Sequence, residues 1–324
     1  MTESRLRTLV ALAATGSVRA AASRLTVTES AVSASIGALA RELGVPLVEP
    51  VGRGIRLTAS GAVYARYARQ VLGLLDEGAA AAVQELDPER GRLRLAAVTT
   101  AGEHLLPALL VEFRRRHPRV ALALEVAPSV QVWDLVRAHE VDLVIAGRPP
   151  SGVEAHVVAT KPNELVVAAA PSVADAFDWT STPWLLREQG SATRTRVETY
   201  LRSQHVAPPR LVLGSNGAVV AGAVAELGCA LVSRDAITEL LSDGRLVTVS
   251  TPGTPLRRPW HAVAGAYSGA STALFVRQLH AFGWRPPVTA PPPDPPTGGR
   301  APRRSGPRLD GGDVDWPVAV EGGS

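Results

Sequence analysis

The sequence predicts an all-α N-terminal segment, one long joining helix, a C-terminal α/β domain of two lobes and a disordered tail. Three observations predict it. Apolar residues recur three and four apart through about residue 90; short apolar runs alternate with helical patterns from Arg92 to about Trp284; and residues 285–324 hold ten of the chain's 26 prolines and seven of its 29 glycines. The first pattern buries one face of each helix, and the second builds sheet with crossover helices. The third buries too little apolar surface to offset its ordering entropy. The expected units are residues 1–58, 59–90, 91–284 and 285–324.

Leu6, Leu9, Val10 and Ala13 repeat at helical spacing behind Ser4, an expected N-cap, and Gly16 stops this first helix. Ser17 caps a short, alanine-rich second helix, Val18 to Leu25. After a break at Thr26, Val27 and Thr28, residues 30–43 form a third, with Ala31, Val32, Ile36, Leu39 and Leu43 on one side and Ser33, Ala34, Ser35 and Arg41 on the other. Two short helices crossing over a three-residue turn need small side chains, which Ala20, Ala21 and Ala22 provide. A plain three-helix bundle has the same spacing. The next segment points to a winged helix-turn-helix: extended runs Leu47 to Pro50 and Ile55 to Leu57 flank Gly52-Arg53-Gly54, with Arg53 and Arg56 at the tip and base of a hairpin. Such a wing presses cations on a phosphate backbone.

Behind Thr58, residues 59–86 read as one helix with a seam of Tyr64, Ala68, Val71, Leu75, Gly78, Ala82 and Leu86. A helix of this length does not bury its seam alone; it packs within the chain or, as we expect, pairs with a second copy. Asp87-Pro88 and Gly91 mark a hinge. The α/β part then runs as strand 92–98, a turn Thr99-Thr100-Ala101-Gly102, helix 105–116, strand 121–126, a helix from Ser129 to about His139, and strand 141–146 ending at Gly147-Arg148. A second βα series follows at 165–169, 184–187, 194–203, 211–213, 218–227, 230–232 and 234–241. Ligands of such paired sheets sit where the carboxyl ends of the strands face each other.

The chain has 34 Lys+Arg against 30 Asp+Glu, a net +4, and residues 1–60 alone carry seven arginines and four acids. A surface for a polyanion is therefore local and N-terminal. One cysteine, Cys229, excludes an intrachain disulfide framework and a Cys-rich metal site. Glu3, Arg5 and Arg7 stand where a secretory signal has its apolar region, and no apolar run reaches the ~18 residues of a membrane span, so a cytoplasmic protein without a membrane partner is expected.

The sequence lacks G-x-x-x-x-G-K-[ST], G-x-S-x-G, H-E-x-x-H and G-x-G-x-x-G, and its seven histidines never stand at metal-ligand spacing. It nominates no catalytic residues, metal or cofactor. What it offers instead is hydroxyl-bearing turns at strand ends, namely Thr99 and Thr100, Ser129, Ser191 and Thr193, Ser215 and Asn216, together with Arg148. Amides at helix N-termini beside a guanidinium suit a small anion, although ordinary N-capping also uses these residue types.

From Leu6 to Gly61 the chain, with ATGSVRAAASRLTVTESAVSASIGALARELGVPLVEPVGRGIRLTASG, resembles the winged helix-turn-helix of the LysR-type transcriptional regulators almost position by position. The resemblance continues through the long helix and the two-lobed, periplasmic-binding-protein-like effector domain to about residue 284. TTAGEHLLPALLVEFRRRHP followed by DLVIAG is similar to the subgroup that includes regulators of carbon-fixation and sulfur genes. It implies a sequence-specific regulator that binds double-stranded promoter DNA as a homodimer or homotetramer. A small, often anionic effector would switch it, RNA polymerase would be a further partner, and no enzymatic activity is expected.

The resemblance makes Thr28 the cap of the recognition helix, with Glu29 and Ser30 beside it, turns Ser33, Ala34 and Ser35 toward the major groove, and makes Arg53 and Arg56 wing contacts. Thr99, Thr100, Ser129 and Arg148 would hold the effector from one lobe, and Ser191, Thr193 and Asn216 from the other. The chain departs from the family pattern at Glu29, where glutamine is usual, at Ala34 and Ser35, where longer polar side chains are common, at Val48 for phenylalanine and at Pro50 for arginine. Glu29 repels phosphate or accepts from a cytosine amino group. Two other readings remain open from the residues alone: a two-lobed small-molecule-binding or catalytic protein, and a constitutive DNA binder without an effector.

Overall fold

Three helices open the chain, α1 (Glu3–Thr15), α2 (Val18–Leu25) and α3 (Glu29–Leu43), in a computed structural model that describes residues 1–287 apart from Arg53, Ala266 and Ser268. Helix α1 starts earlier than expected: Thr2 occupies the cap position without a side-chain bond. Ser4 lies inside the first turn, where its carbonyl accepts from Thr8 Oγ1 at 2.8 Å. Gly16 ends α1 at φ 69°, a conformation that glycine adopts without a Cβ penalty. Ser17 Oγ accepts from the amide of Ala20 at 3.1 Å and so caps α2. Ala21 and Ala22 are buried where α2 meets its neighbours, around a core of Leu9, Leu12, Val32, Ile36 and Leu39. The wing is an antiparallel pair, β1 (Val48–Val51) and β2 (Gly54–Leu57), in the register Val48↔Leu57 and Glu49↔Arg56.

Helix α4 (Ala59–Leu86) is capped by Thr58, whose Oγ1 accepts from the amide of Gly61 at 2.9 Å. Two glycines let it lie against backbone: a Cβ on Gly61 would stand 1.9 Å from the carbonyl oxygen of Leu47, and one on Gly73 1.9 Å from that of Ala138. The face buried within the chain is Gly61, Ala65, Ala68, Leu72 and Gly73. Of the expected seam only Ala68 is buried and Tyr64 partly so, while Val71, Leu75, Gly78, Ala82 and Leu86 are exposed. The expected hinge is tied down. Gln84 is buried, donates to the carbonyl of Arg92 at 3.1 Å and accepts from the amide of Ser271 at 3.1 Å, and Ser271 Oγ bonds the carbonyl of Pro88 at 2.9 Å.

The first lobe runs through β3 (Arg92–Val98), α5 (Thr99–His104), α6 (Leu106–Arg116), β4 (Ala121–Ala127), α7 (Ser129–Arg137), β5 (Leu143–Ala146) and β6 (Ala155–Lys161). The expected turn at residues 99–102 is helical. Gly102 does not break it; the missing side chain admits Val126, which a Cβ would meet at 2.6 Å. The chain then builds the second lobe from β7 (Glu164–Ala169), α8 (Pro171–Asp175), β8 (Trp184–Leu186), α9 (Ala192–Ser203), β9 (Arg210–Val212), α10 (Asn216–Val224), β10 (Ala230–Ser233), α11 (Thr238–Ser242), β11 (Val247–Thr248) and β12 (Leu256–Arg257). It returns to the first lobe in β13 (Trp260–Gly265) and α12 (Ala270–Ala281).

The first sheet has the order β4-β3-β5-β13-β6; β3 is parallel to β4 and β5, as the βαβαβ order requires, and β13 is antiparallel to β5 and β6. The second lobe departs from a plain βα series: β7 pairs antiparallel with β10, β11 and β12, while β8 runs parallel to β9 and bridges Cys229 in parallel. Each sheet is covered on both faces by apolar clusters, one around Phe113 and Phe275, one around Trp133, one around Trp184 and Tyr200, and one around Val219. Cys229 lies fully buried in the third of these. The tail expected to be disordered from Arg285 lies, from residue 288 on, outside the described residues. Arg285 itself exchanges backbone hydrogen bonds with Thr160 at 2.7 and 2.8 Å.

Candidate functional site

Two separate faces gather the residues nominated by the sequence. On the first, Thr28 Oγ1 accepts from the amide of Ala31 at 3.2 Å and lies 2.9 Å from Ser30 Oγ, which sets where α3 begins. Thr28, Glu29, Ser30, Ser33 and Ala34 are exposed on one side of that helix, and Ser35 is half-buried at its edge. Arg56 is exposed but not free: its Nε and Nη2 donate to Glu49 Oε1 at 3.0 and 2.6 Å, directly across the wing. Arg53, the other wing residue, lies outside the described residues. Sequence reading missed Arg19 and Arg24 on α2, which with Arg41 on α3 are exposed arginines in no ion pair among the described residues. Their place on the two helices of the turn was the available signal.

The second face is a cleft between the lobes. Thr99 and Thr100 at the start of α5, Ser129 at the start of α7, and Ser191 and Thr193 at the start of α9 line one recess of about 20 Å³, room for a single water. Ser129 also borders the adjoining chamber of about 470 Å³, where Arg148 lies. Six of the seven nominated residues thus meet around connected space. Asn216 does not. It opens α10 against the end of α5, buried, with its Nδ2 3.5 Å from His104 Nε2 and its neighbour Gly217 on a different opening.

The cleft also holds residues that the sequence reading did not nominate. Arg187 and Arg258 line the recess, and Arg196, Arg257, Arg258 and His261 line the chamber. No local motif marks them, because Arg257 at the end of β12, Arg258 in the link after it and His261 on β13 arrive where the chain crosses back to the first lobe. Arg187 is buried and paired with Glu188 at 2.6 Å. Arg258 donates from Nη1 to Thr193 Oγ1 at 3.0 Å and has no carboxylate partner among the described residues. Burial first, then the charges of Arg196 and Arg187, push its guanidinium down to about 10. Burial also holds the His261 imidazole below its ordinary range; the Pro259 carbonyl opposes this and Arg148 adds to it. Both α7 and α9 start at the cleft and turn their N-terminal amides and positive dipole ends toward it. The arrangement suits a small anion.

Among the described residues no cluster of His, Cys, Asp and Glu could hold a metal ion, and no helix is long and apolar enough to cross a membrane. A family model for the bacterial regulatory helix-turn-helix protein of the lysR family matches residues 4–62, and one for the LysR substrate binding domain matches residues 86–282. The HTH-type transcriptional regulator CbbR of Rhodospirillum rubrum is 33% identical over 252 residues, which span 75% of this chain and 83% of that one. The crystal structure of full-length CbnR complexed with its target DNA is similar in fold, with a TM-score of 0.60 at 21% identity over 87% of this chain and 99% of that one. The regulatory domain of Synechocystis CcmR in complex with 2-PG is similar at a TM-score of 0.55 and 26% identity, over 59% of this chain and 96% of that one. With both of its domains matched in order, the chain belongs to the LysR family and is a LysR-type transcriptional regulator.

Proposed function

We propose that this regulator binds promoter DNA through α3 and the wing, as a homodimer or homotetramer, and is switched by a small anion held between its lobes. In this reading it works in the cytoplasm, acts on RNA polymerase at the promoter and is not an enzyme. One observation carries the reading: a chain with an exposed, capped helix-turn-helix also holds a cleft whose central guanidinium, Arg258, lacks a carboxylate. A constitutive DNA binder has no use for such a half-buried cation without a counter-charge.

Thr28 fixes the start of the recognition helix; Glu29, Ser30, Ser33, Ala34 and Ser35 meet base edges or the adjoining sugar-phosphate; and Arg53 and Arg56 from the wing, with Arg19, Arg24 and Arg41, meet phosphate. Thr99, Thr100, Ser129, Ser191, Thr193, Arg148 and Arg258 hold the effector. Asn216 is left out of that set because it faces His104. The DNA held by CbnR and the 2-PG held by the CcmR regulatory domain support extending both roles to this chain. The exposed stripe of α4, with Tyr67, Val71, Leu75 and Leu86, is the dimer seam. An effector that binds one arrangement of the lobes better than another shifts how paired DNA-binding units sit on the promoter.

Footprinting of the DNA upstream of its own gene tests the reading. The expected result is a protected region made of two half-sites whose extent changes when a metabolite pool is added. Absence of protection with and without metabolites overturns it.

A further inference from the structure

The cleft is unevenly charged, and the unevenness says more about the ligand than its sign. The inner recess has hydroxyls on five of its eleven lining residues and one guanidinium already paired, Arg187 with Glu188. The outer chamber is some twenty times larger, about 470 Å³ against about 20 Å³. Its wall carries Arg148, Arg196, Arg257 and Arg258 without an Asp or Glu among them. None of these four arginines is in an ion pair among the described residues. Arg258 borders both spaces. Burial first, and then the neighbouring charges of Arg196 and Arg187, hold its guanidinium down.

A single negative charge seated on Arg258 satisfies the inner end and leaves Arg148, Arg196 and Arg257 facing an occupied, less hydrated chamber without a counter-charge. Packing like charges around a cavity is unfavourable unless the occupant neutralises them. The chamber's volume and its charges are matched by one compact molecule with anionic groups at both ends.

We propose that the effector carries two separate anionic groups, both within the chamber, one at its inner end on Arg258 and Ser129, where the recess opens, the other on Arg148, Arg196 and Arg257. This rests on the reading of the cleft as the effector site and narrows its ligand to a class. The inner group accepts from Ser129 and from Arg258, which border both spaces, a geometry that fixes orientation. The outer group meets three exposed arginines, Arg148 after β5, Arg196 on α9 and Arg257 at the end of β12, a geometry that selects for charge. Small acids with one anionic group then fill only half of the site.

Pyrophosphate and orthophosphate are the probes, because they differ in the number of phosphoryl groups and little else. Titration of the full chain, followed by calorimetry and by melting temperature, should give at least about tenfold tighter binding of pyrophosphate, the increment of one more charge-assisted contact. The double variant Arg148→Gln/Arg257→Gln, at two exposed positions, should remove that preference and leave orthophosphate binding within about twofold. Arg258→Gln should weaken both probes, and Arg258→Lys should restore part of each.

Orthophosphate binding that depends on Arg258, with no preference for pyrophosphate, overturns the two-group assignment and leaves the cleft reading intact. A preference for pyrophosphate that survives in the double variant overturns the same assignment. If neither probe binds in a way that depends on Arg258, the cleft reading itself falls.

Discussion

Arg56 and Arg258 are the same functional group in opposite electrostatic settings, and their settings decide what each can do. Arg56 lies across the wing from Glu49, so its charge is already met when DNA approaches. Glu49→Gln should therefore tighten binding to all DNA sequences alike and steepen the dependence of log K on log salt by about one, the value for one added phosphate contact; an unchanged slope would show that Arg56 does not reach the backbone. At the head of α3, Thr28→Ala removes the bond to the amide of Ala31 and should cost about 1 kcal/mol of stability in chemical unfolding. His261 adds a pH dependence. Because its folded-state pKa is lowered, the unfolded chain takes up a proton first; stability is full above the ordinary value near 6.5 and is lost as pH falls through the folded value. Denaturant midpoints measured from pH 7.5 to 5 should fall in the parent and fall less in His261→Gln. The polar residues of the recess were legible in the sequence because each sits at a strand-to-helix turn. Arg258 was not, since only long-range strand pairing brings it there.

Helix α4 carries a face buried within the chain and a separate exposed apolar stripe. Its sequence carries apolar and small residues on more than one face, and spacing alone does not assign a face to a partner. The residues read as a seam, Val71, Leu75 and Leu86 among them, are exposed, whereas a neighbouring stripe through Ala65, Ala68 and Leu72 is buried on the chain's own α1 and wing. Val71→Arg together with Leu75→Arg should dissociate the dimer in sedimentation while the melting profile of the monomer is kept; a dimer that survives both changes places the seam elsewhere. Gly73→Ala drives a methyl group into the carbonyl of Ala138 and should destabilise the docked helix by about 1–3 kcal/mol. The same limit explains β13 and α12, which sequence reading left unassigned. Alternation of strand and helix predicts the next neighbour along the chain, and these elements return to a sheet that was begun more than a hundred residues earlier.

Across the whole molecule, α7 joins the cleft to the DNA-binding end. It begins at Ser129 on the cleft wall, and just past its last turn Ala138 meets Gly73, His139 Nδ1 lies 2.9 Å from Glu77 Oε2 and Glu140 pairs with Arg69, all on α4. Within the same stretch of α4, next to Glu77, Asp76 reaches Arg7 of α1 at 3.1 Å. Glu140→Gln should leave phosphate binding intact and reduce the change in DNA affinity that an effector produces, read as the ratio of dissociation constants with and without it. Cys229 gives this architecture an optical handle. It is the chain's one cysteine, fully buried in the second lobe, with burial pushing its thiol up to about 12. An alkylating dye can therefore mark the native protein only during the moments when that lobe opens. The rate of labelling becomes a stopwatch for lobe opening, slowed by any compound that binds the closed form and needing no engineered reporter.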